Sequence, residues 1–505
     1  MSTETKALAP RAGPSPLVRT SLIFVAIALA CLPLADLEIT TLDPWQEMGR
    51  LLHGLVTPDF FATERLSEAL LNTVAFALLG VSLANVLGLL LSLVFHLRAV
   101  RAGCALVRAI HELFWALLFL QVFGLTPLTG VLAIAIPYAG IIAKVYAEIL
   151  EESDPTPLSL VPTGASRLSA FLYARLPEAW THFKNYSLYR LECGLRSSAV
   201  LGFVGLPTLG FHLESAFRQG YYSEVSALLI LFYVVIATIR WWVRGRLIPL
   251  YLLGALWVLP AGAAIHFSNV VRFLTEDIVP HPLRAAGTLD ATALSGLGDW
   301  LWGLLRDQAL PGIYDTVVLS MIALVASGIL TLVLFPLVSP RFLGPWGRRL
   351  GHLALVVARS TPEYILAYVL LQLWGPSMVP AIVALALHNG AIIGHLIGRY
   401  SGSLPLRPDS PRGIDLYAWE VLPRVYPQFL AFLFYRWEVI IRETAILGIL
   451  GIHTLGFFVD NALAELRFDR AVLLIVVTAG LNIAVDVLSR WIRARLRLKT
   501  TPEQG

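Results

Sequence analysis

Residues Leu176–Phe211 read LPEAWTHFKNYSLYRLECGLRSSAVLGFVGLPTLGF, and residues Leu422–Phe457 read LPRVYPQFLAFLFYRWEVIIRETAILGILGIHTLGF. The two stretches align without a gap at an offset of 246 positions and are identical at 15 of 36 positions. An internal repeat of this kind indicates two related structural units in one chain, and the repeat is therefore the feature from which the fold is inferred.

A second block repeats upstream at an offset of 251. Its shared positions are Arg108, Glu112, Ala116, Gln121, Gly124, Ile141 and Ile142 in the first copy, and Arg359, Glu363, Ala367, Gln372, Gly375, Ile392 and Ile393 in the second. Because the offset falls from 251 to 246, the segment between the two blocks is five residues shorter in the second copy. We therefore predict two halves with the same order of elements.

The composition places the chain in a membrane. Of its 505 residues 57% are hydrophobic and 14% are charged, and the mean hydropathy is +0.72, whereas a soluble domain has about 25% charged residues. Segments of about 20 apolar residues can each cross a bilayer as a helix. We predict an all-α membrane protein with about twelve transmembrane helices, near 20–36, 68–97, 106–123, 129–148, 187–210, 223–242, 247–267, 313–338, 350–373, 379–398, 433–457 and 470–490.

The basic residues predict the orientation. With the N-terminus inside, 29 of the 38 Lys and Arg residues fall in cytoplasmic segments, as the positive-inside rule requires. Both termini are then cytoplasmic, and the halves are parallel because each crosses the membrane an even number of times. The predicted regions are a cytoplasmic tail (1–20), the first half (21–243), a linker with the next helix and an external insert (244–312), the core of the second half (313–492) and a basic tail (493–505). The insert is predicted to form a short surface helix over Asp299–Arg306.

Motifs of enzymes are absent from the sequence. None of the four lysines follows a glycine, so there is no GxxxxGK[ST] loop for ATP. HExxH and GxSxG are also absent, and the three cysteines form no CxxC pair. We therefore predict no catalytic residue, no metal site and no cofactor bound by this chain.

Several segments resemble the phosphonate-import permease family. They are the helices Tyr186–Phe211 and Tyr435–Phe457, the loop sequence AEILEESDPTPLSLVPTGASR at 147–167, and the short motifs TPDF (Thr57–Phe60), LNT (Leu71–Thr73) and YDT (Tyr314–Thr316). Gly164 precedes Pro177 by 13 residues, as in the docking loop of ABC importer permeases. The resemblance covers both halves and implies two fused permease halves of the type I ABC importer (MetI-like) fold.

The family resemblance also implies partners and a function. The chain would be the permease subunit, in a bacterial inner membrane, of an importer for phosphonate, phosphate or phosphite. Two copies of a cytoplasmic ABC ATPase, which bind ATP-Mg, would drive transport. An external or periplasmic solute-binding protein would deliver the substrate. Membrane lipid would surround the chain, and no nucleic acid would be involved.

The resemblance assigns ATPase docking to a loop in each half. In the first half the residues are Leu158, Val161, Gly164, Ala165, Ser166, Leu176 and Pro177, with a docking helix across Pro162; in the second half they are Ser410, Leu422 and Pro423. Ser410 replaces the glycine, and Pro405, Pro408 and Pro411 surround it, so we expect two unequal docking sites.

Charged and polar residues within the predicted helices are candidates for the translocation pathway, since such residues usually face a bundle interior or a cavity. The candidates are Arg196, Arg442, Glu192, Glu438, Glu363, Gln121 and Gln372. Glu192 and Arg196 lie four residues apart, as do Glu438 and Arg442, so an intrahelical ion pair is the alternative interpretation. Gln121 and Gln372 fit interhelical hydrogen bonds equally well.

Two other functions fit parts of the pattern. A secondary ion-coupled transporter can also have two six-helix halves, and it would need no ATPase. A membrane-embedded enzyme would need a cluster of catalytic residues, which the sequence does not indicate.

Overall fold

The computed structural model describes residues 15–40, 43–162, 164–262, 264, 266–286 and 290–498. Every regular element in these ranges is a helix, which confirms the predicted all-α class. Positions 1–14 of the predicted N-terminal tail and 499–505 of the predicted C-terminal tail lie outside the described residues.

The helices follow one another with short connections. The first group is α1 (Pro16–Cys31), α2 (Pro44–Val56), α3 (Leu66–Leu93), α4 (Arg98–Ala109), α5 (Glu112–Phe123), α6 (Pro127–Glu152), α7 (Thr156–Ser159), α8 (Arg167–Ala170), α9 (Leu176–Val200), α10 (Leu209–Gln219), α11 (Tyr222–Ala237) and α12 (Ile239–Trp242). The second group is α13 (Ile248–Val258), α14 (Phe267–Arg272), α15 (His281–Ala286), α16 (Ala291–Leu304), α17 (Leu310–Leu334), α18 (Pro345–Ser360), α19 (Glu363–Trp374), α20 (Met378–Ser403), α21 (Leu422–Ile449), α22 (Leu455–Ala464) and α23 (Phe468–Arg495).

Six helical runs are long and apolar enough to cross a membrane. They are Pro16–Leu34, Leu66–Leu93, Pro127–Glu152, Ala291–Leu337, Met378–Ser403 and Phe468–Arg495. Three bent helix pairs raise the number of candidate spans in the described residues to nine if each pair counts once. The chain is therefore a multi-pass membrane protein.

Two helices that the sequence predicted as straight spans, 106–123 and 350–373, are sharply bent. The angle between α4 and α5 is 91°, and that between α18 and α19 is 92°. At the first bend the His111 side chain accepts a hydrogen bond from Leu113 N at 3.1 Å and caps the new helix. At the second bend Pro362 forces Thr361 into an extended conformation. At each bend a single local feature, a histidine cap or a proline, therefore interrupts the apolar run for which one helix was predicted.

The fifth helix of each half differs from its predicted bounds of 187–210 and 433–457. α9 and α21 begin at the Leu-Pro pairs, where the proline lies in the first turn and its missing N–H leaves no hydrogen bond unmade. Both helices end early because Gly205 (φ 90°) and Gly451 (φ 88°) are left-handed, a conformation that glycine adopts without strain.

The external insert also differs from the prediction. Residues 299–306 do not form a separate surface helix, because α16 continues through a π turn at Leu305–Ala309 into α17. The run Ala291–Leu337 is one element of 47 residues. The π turn lies just before Pro311, which lacks the N–H group for an intrahelical hydrogen bond.

A compact junction recurs at the end of α9 and of α21. A Cβ atom added to Gly210 would collide with the backbone of Ala199, and one added to Gly456 would collide with that of Ala445. Thr73 Oγ1 accepts from Leu209 N at 2.8 Å, and Thr316 Oγ1 accepts from Leu455 N at 3.0 Å, so the two threonine motifs cap equivalent helices. The absence of a side chain at these two glycines therefore permits the close approach of the neighbouring helices.

Gly456→Ala is expected to destabilise the protein. The added methyl group would push α22 away from α21, and overpacking of this kind costs about 1–3 kcal/mol. Thermal unfolding of the purified chain in detergent measures the effect as a lower Tm. The matched control is Gly480→Ala in α23, where an added Cβ meets no atom of the described chain within 4 Å. A Tm of Gly456→Ala equal to or above that of the control would contradict the packing account.

Candidate functional site

A polar cavity of about 250 Å³ lies between the two halves. Eleven of its 25 lining residues are charged, which is unusual for a site among membrane-spanning helices. Those from the first half are Arg108, Glu112, Arg190, Glu192 and Arg196, and those from the second half are Arg359, Glu363, Arg436, Glu438, Arg442 and Glu443. His388 and the tyrosines Tyr138, Tyr189, Tyr364 and Tyr435 complete its polar wall.

Two arginines of this cavity reach from one half to the other. Arg196 Nη1 on α9 donates to the carbonyl oxygen of Arg359 at 3.4 Å, and Arg442 Nη1 on α21 donates to that of Arg108 at 3.4 Å. Both acceptors lie in the last turn of a bent helix, α18 or α4, where carbonyl groups lack intrahelical partners. The bends therefore create the acceptors that position the two arginines.

The carboxylates pair differently from the intrahelical alternative. Neither Glu192–Arg196 nor Glu438–Arg442 forms an ion pair in the described structure; instead Glu438 contacts Arg108 Nη1 at 2.6 Å. Arg108 also contacts Asp486 at 2.8 Å. Arg196 and Arg442 thus form no ion pair with a carboxylate in the part of the chain that the structure describes, so neither guanidinium group is tied to one acidic side chain.

The two sides of the cavity are not equivalent. Arg108 is neutralised by the two carboxylates described above, but its counterpart Arg359 forms no ion pair among the described residues. The Nε atom of Arg359 is buried without a hydrogen-bond partner. The position in the first half that matches Asp486 is Arg240. Arg359 therefore lacks the carboxylate partner that Asp486 provides for Arg108.

Arg190 and Arg436 occupy equivalent positions with different neighbours. The Arg190 guanidinium lies 5.1 Å from the ring centre of Tyr186 and 5.5 Å from that of Tyr138, within the range of a cation–π contact. Arg436 instead donates to Asn389 Oδ1 at 2.7 Å and lies 3.6 Å from Glu443. Aromatic contacts leave the charge of Arg190 uncancelled, whereas Arg436 is partly neutralised.

Three residues of the second half could hold a cation. Ligand atoms of Glu363, His388 and Glu443 lie within 4.8 Å of one another, and carboxylate and imidazole are common metal ligands. The positions that match His388 and Glu443 in the first half are Pro137 and Ser197, so the group exists on one side of the cavity. The nearby Arg436 opposes cation binding by charge repulsion.

The structure brings most predicted pathway residues together. Arg196, Arg442, Glu192, Glu438 and Glu363 line the cavity, whereas Gln121 and Gln372 lie outside it. Sequence reasoning did not select Tyr138, Arg190, Arg436 or Glu443 for the pathway. The repetition of Tyr189-Arg190 as Tyr435-Arg436 was a usable signal, but nothing in the pattern marked Glu443.

The first predicted docking loop contains less helix than expected. α7 is one turn long, and the helix resumes at Arg167 instead of running across Pro162, because proline disrupts a helix interior. A Cβ atom at Gly164 would meet no described atom within 4 Å. At the start of the loop Thr156 donates to Asp154 through its hydroxyl group and backbone N–H, and these bonds lower the pKa of Asp154.

Both loops expose large apolar side chains at equivalent positions. Leu168 is 66% exposed and its counterpart Ile414 is 83% exposed, while Tyr173 is 83% exposed and its counterpart Trp419 is 77% exposed. Leu168 and Tyr173 lie just before the Leu-Pro start of α9, in or beside a π turn. Ile414 and Trp419 lie in the same way before that of α21. Matched apolar exposure at two repeat positions is typical of contact surfaces for other proteins.

Comparison with known proteins gives a consistent set of relatives. A phosphate-import permease protein of Mycolicibacterium smegmatis is 26% identical over 490 residues, which cover 90% of each chain. A phosphite transport system permease protein of Stutzerimonas stutzeri is 28% identical over 234 residues, which cover 44% of this chain but 84% of the relative. The shorter relative therefore corresponds to one half of this chain.

A putative cryptic phosphonate transport system permease protein of Escherichia coli is 35% identical over 107 residues, which cover 21% of this chain and 88% of the relative. No family model and no solved structure matches the chain. The relatives are transport permeases and not enzymes. The chain therefore belongs to the family of phosphonate, phosphite and phosphate transport-system permeases.

Proposed function

We propose that this permease carries a phosphorus oxyanion, namely phosphonate, phosphite or phosphate, through the cavity between its halves. The names of its relatives supply the substrate class. The observation that carries the proposal is the pair Arg196 and Arg442, which enter the cavity from opposite halves while bonded to backbone carbonyls.

The chemistry of the lining suits such an anion. Guanidinium groups bind the oxygens of phosphate-like anions through paired, charge-assisted hydrogen bonds. Arg190, Arg196, Arg359 and Arg442 line the cavity without an ion pair in the described ranges, so they can compensate an entering negative charge. The carboxylates on the same wall would weaken binding enough to permit release, which a transport site requires.

The proposed architecture is that of a type I importer. We propose twelve membrane-spanning helices in two parallel halves, with both termini in the cytoplasm and the regions bounded as the sequence predicts. The reciprocal Arg196–Arg359 and Arg442–Arg108 bonds support it, because equivalent residues meet equivalent partners across a twofold axis.

The loops before α9 and α21 would dock two ABC ATPases, which bind ATP-Mg. Leu168, Tyr173, Ile414 and Trp419 would enter grooves on these partners, together with the loop residues that the sequence assigned. Their matched exposure supports the proposal. An external solute-binding protein would deliver the oxyanion to the opposite face, and the chain itself would need no cofactor.

Leu168→Asp and Ile414→Asp are expected to weaken ATPase docking. A charged group in place of an apolar anchor at the centre of an interface typically costs about 2 kcal/mol or more, or roughly 30-fold in Kd. Affinity purification of the tagged permease measures the ATPase retained, and uptake assays in the same cells measure transport. The matched control is Phe61→Asp, because Phe61 is also an exposed apolar residue, at 97%, but lies in a segment predicted to be external.

Two outcomes would count against docking at these loops. If a variant with both Leu168→Asp and Ile414→Asp retains the full amount of ATPase, these loops are not the docking sites. Oxyanion uptake that persists in cells lacking the ATPase would favour a secondary transporter instead.

Arg196→Gln and Arg442→Gln are expected to reduce oxyanion uptake. Each arginine would contribute charge-assisted hydrogen bonds worth about 1.5–3 kcal/mol, so each variant should lower uptake at limiting substrate by about 10-fold or more. Uptake of radiolabelled phosphate, phosphite and methylphosphonate in cells with the complete transporter measures it. Arg218→Gln, which removes an exposed arginine paired with Glu214 at 2.7 Å, is the matched control.

The amount of each variant in the membrane and the amount of ATPase that it retains are compared with those of the wild type. If both are unchanged, a lower uptake reflects loss of the anion site and not misfolding. Uptake of all three oxyanions at the rate of the Arg218→Gln control would overturn the pathway assignment.

A further inference from the structure

A second basic cavity shares no lining residue with the one between the halves. It has a volume of about 400 Å³ and lies between the amphipathic helix α18 and the end of α20. Its lining is Val338, Arg348, Arg349, His352, His395 and Arg399. Five of the six lining residues are basic and none is acidic, which is the composition of an anion site and not of a structural ion-pair cluster.

The arginines of this basic pocket are free to bind. Arg348, Arg349 and Arg399 are exposed, and none of them forms an ion pair within the portion of the chain that the structure describes. Arg349 lies over the ring of Trp346 at 5.1 Å, which fixes its direction without cancelling its charge. Three unneutralised guanidinium groups therefore converge on one space.

His395 provides an independent indication of a ligand. Its side chain is buried, with 5% exposed, and its Nδ1 atom has no hydrogen-bond partner. Buried polar atoms are nearly always hydrogen-bonded in folded proteins. The ring of His352 lies 5.1 Å away and leaves that atom unsatisfied. A ligand oxygen in the pocket would supply the missing partner.

The equivalent place in the first half has a different pattern of charge. The positions that match His395 and Arg399 are Lys144 and Glu148, and these form an ion pair at 3.7 Å. In the second half a histidine and an arginine replace that neutral pair. The pocket therefore has an unpaired guanidinium group where the first half has a carboxylate, and this arrangement is specific to one side of the protein.

The surrounding surface places the pocket at the edge of the bilayer. α18 exposes Trp346, Leu350, Leu353 and Val357 on one face and turns by 92° into α19. A helix with such a face lies in the membrane interface with its apolar side among the acyl chains. Its basic residues are then at the depth of the lipid headgroups.

We propose that this pocket binds a phosphate group, and that an anionic lipid headgroup supplies it. Arg348, Arg349 and Arg399 bind the phosphate oxygens, and His395 Nδ1–H donates a hydrogen bond to one of them. Free inorganic phosphate offers the same chemistry and is the second possible source. The site is separate from the transport cavity and does not depend on the identity of the transported anion.

The test compares the full-length wild-type chain with Arg399→Glu, which restores the acidic residue of the first half, and with the milder Arg399→Gln. Native mass spectrometry of the delipidated protein measures binding of phosphatidylglycerol and of phosphatidylcholine. Since each basic residue near an anionic membrane surface contributes a factor of about five, charge reversal should weaken phosphatidylglycerol binding about tenfold or more and leave phosphatidylcholine binding unchanged. The control for the loss of basic residues as such is Arg98→Gln with Arg101→Gln, at the first-half positions that match Arg349 and His352.

A second arm adds radiolabelled inorganic phosphate without lipid. Phosphate binding that falls in Arg399→Glu, with phosphatidylglycerol binding unchanged, would assign the pocket to free phosphate. Equal binding of both ligands by wild type and Arg399→Glu would overturn the proposal. So would an equal loss of lipid in the first-half control. The elution profile and Tm of each variant show that a loss of binding is not a loss of folding.

Discussion

The arrangement of this protein depends on how two arginines are held at the boundary between its halves. Arg196 and Arg442 each donate to a carbonyl oxygen in the last turn of a bent helix from the opposite half. A straight helix would use those carbonyls internally, and the arginines would then need carboxylates. The 91° and 92° bends are therefore part of the site: they expose backbone acceptors that position a guanidinium group without removing its charge.

The group that holds each arginine determines how strongly that arginine can attract a transported anion. An arginine tied to a carboxylate offers little net attraction to an anion, whereas one tied to the negative end of a helix keeps most of its charge. Arg108 represents the first case, since Glu438 and Asp486 neutralise it. Arg196 and Arg442 represent the second. The cavity thus combines fixed ion pairs that stabilise the helix contacts with available guanidinium groups that can meet a ligand.

Sequence reasoning succeeded where the information was repeated and failed where one local contact decided the outcome. The repeat identified the two halves and selected Arg196 and Arg442, which the structure places in the lining of the cavity. It missed both bends, because one histidine cap and one proline outweighed long apolar runs. It placed Gln121 and Gln372 with the pathway because they recur, but recurrence does not show which face of a helix meets the cavity. Glu443 was missed because its counterpart is Ser197.

The differences between the halves follow from their fusion. In a symmetric dimer of one-half chains every substitution near the axis appears twice, so an acid at the position of Glu443 would also replace Ser197. That change would place a carboxylate on both sides of the cavity that we propose for the oxyanion. A fused chain can place Glu443 and His388 on one side alone, opposite Ser197 and Pro137. The same freedom lets Arg399 replace the equivalent of Glu148 without removing the Lys144–Glu148 ion pair of the first half. Fusion thus allows one half to keep neutral, structural pairs while the other acquires charged sites with a different role.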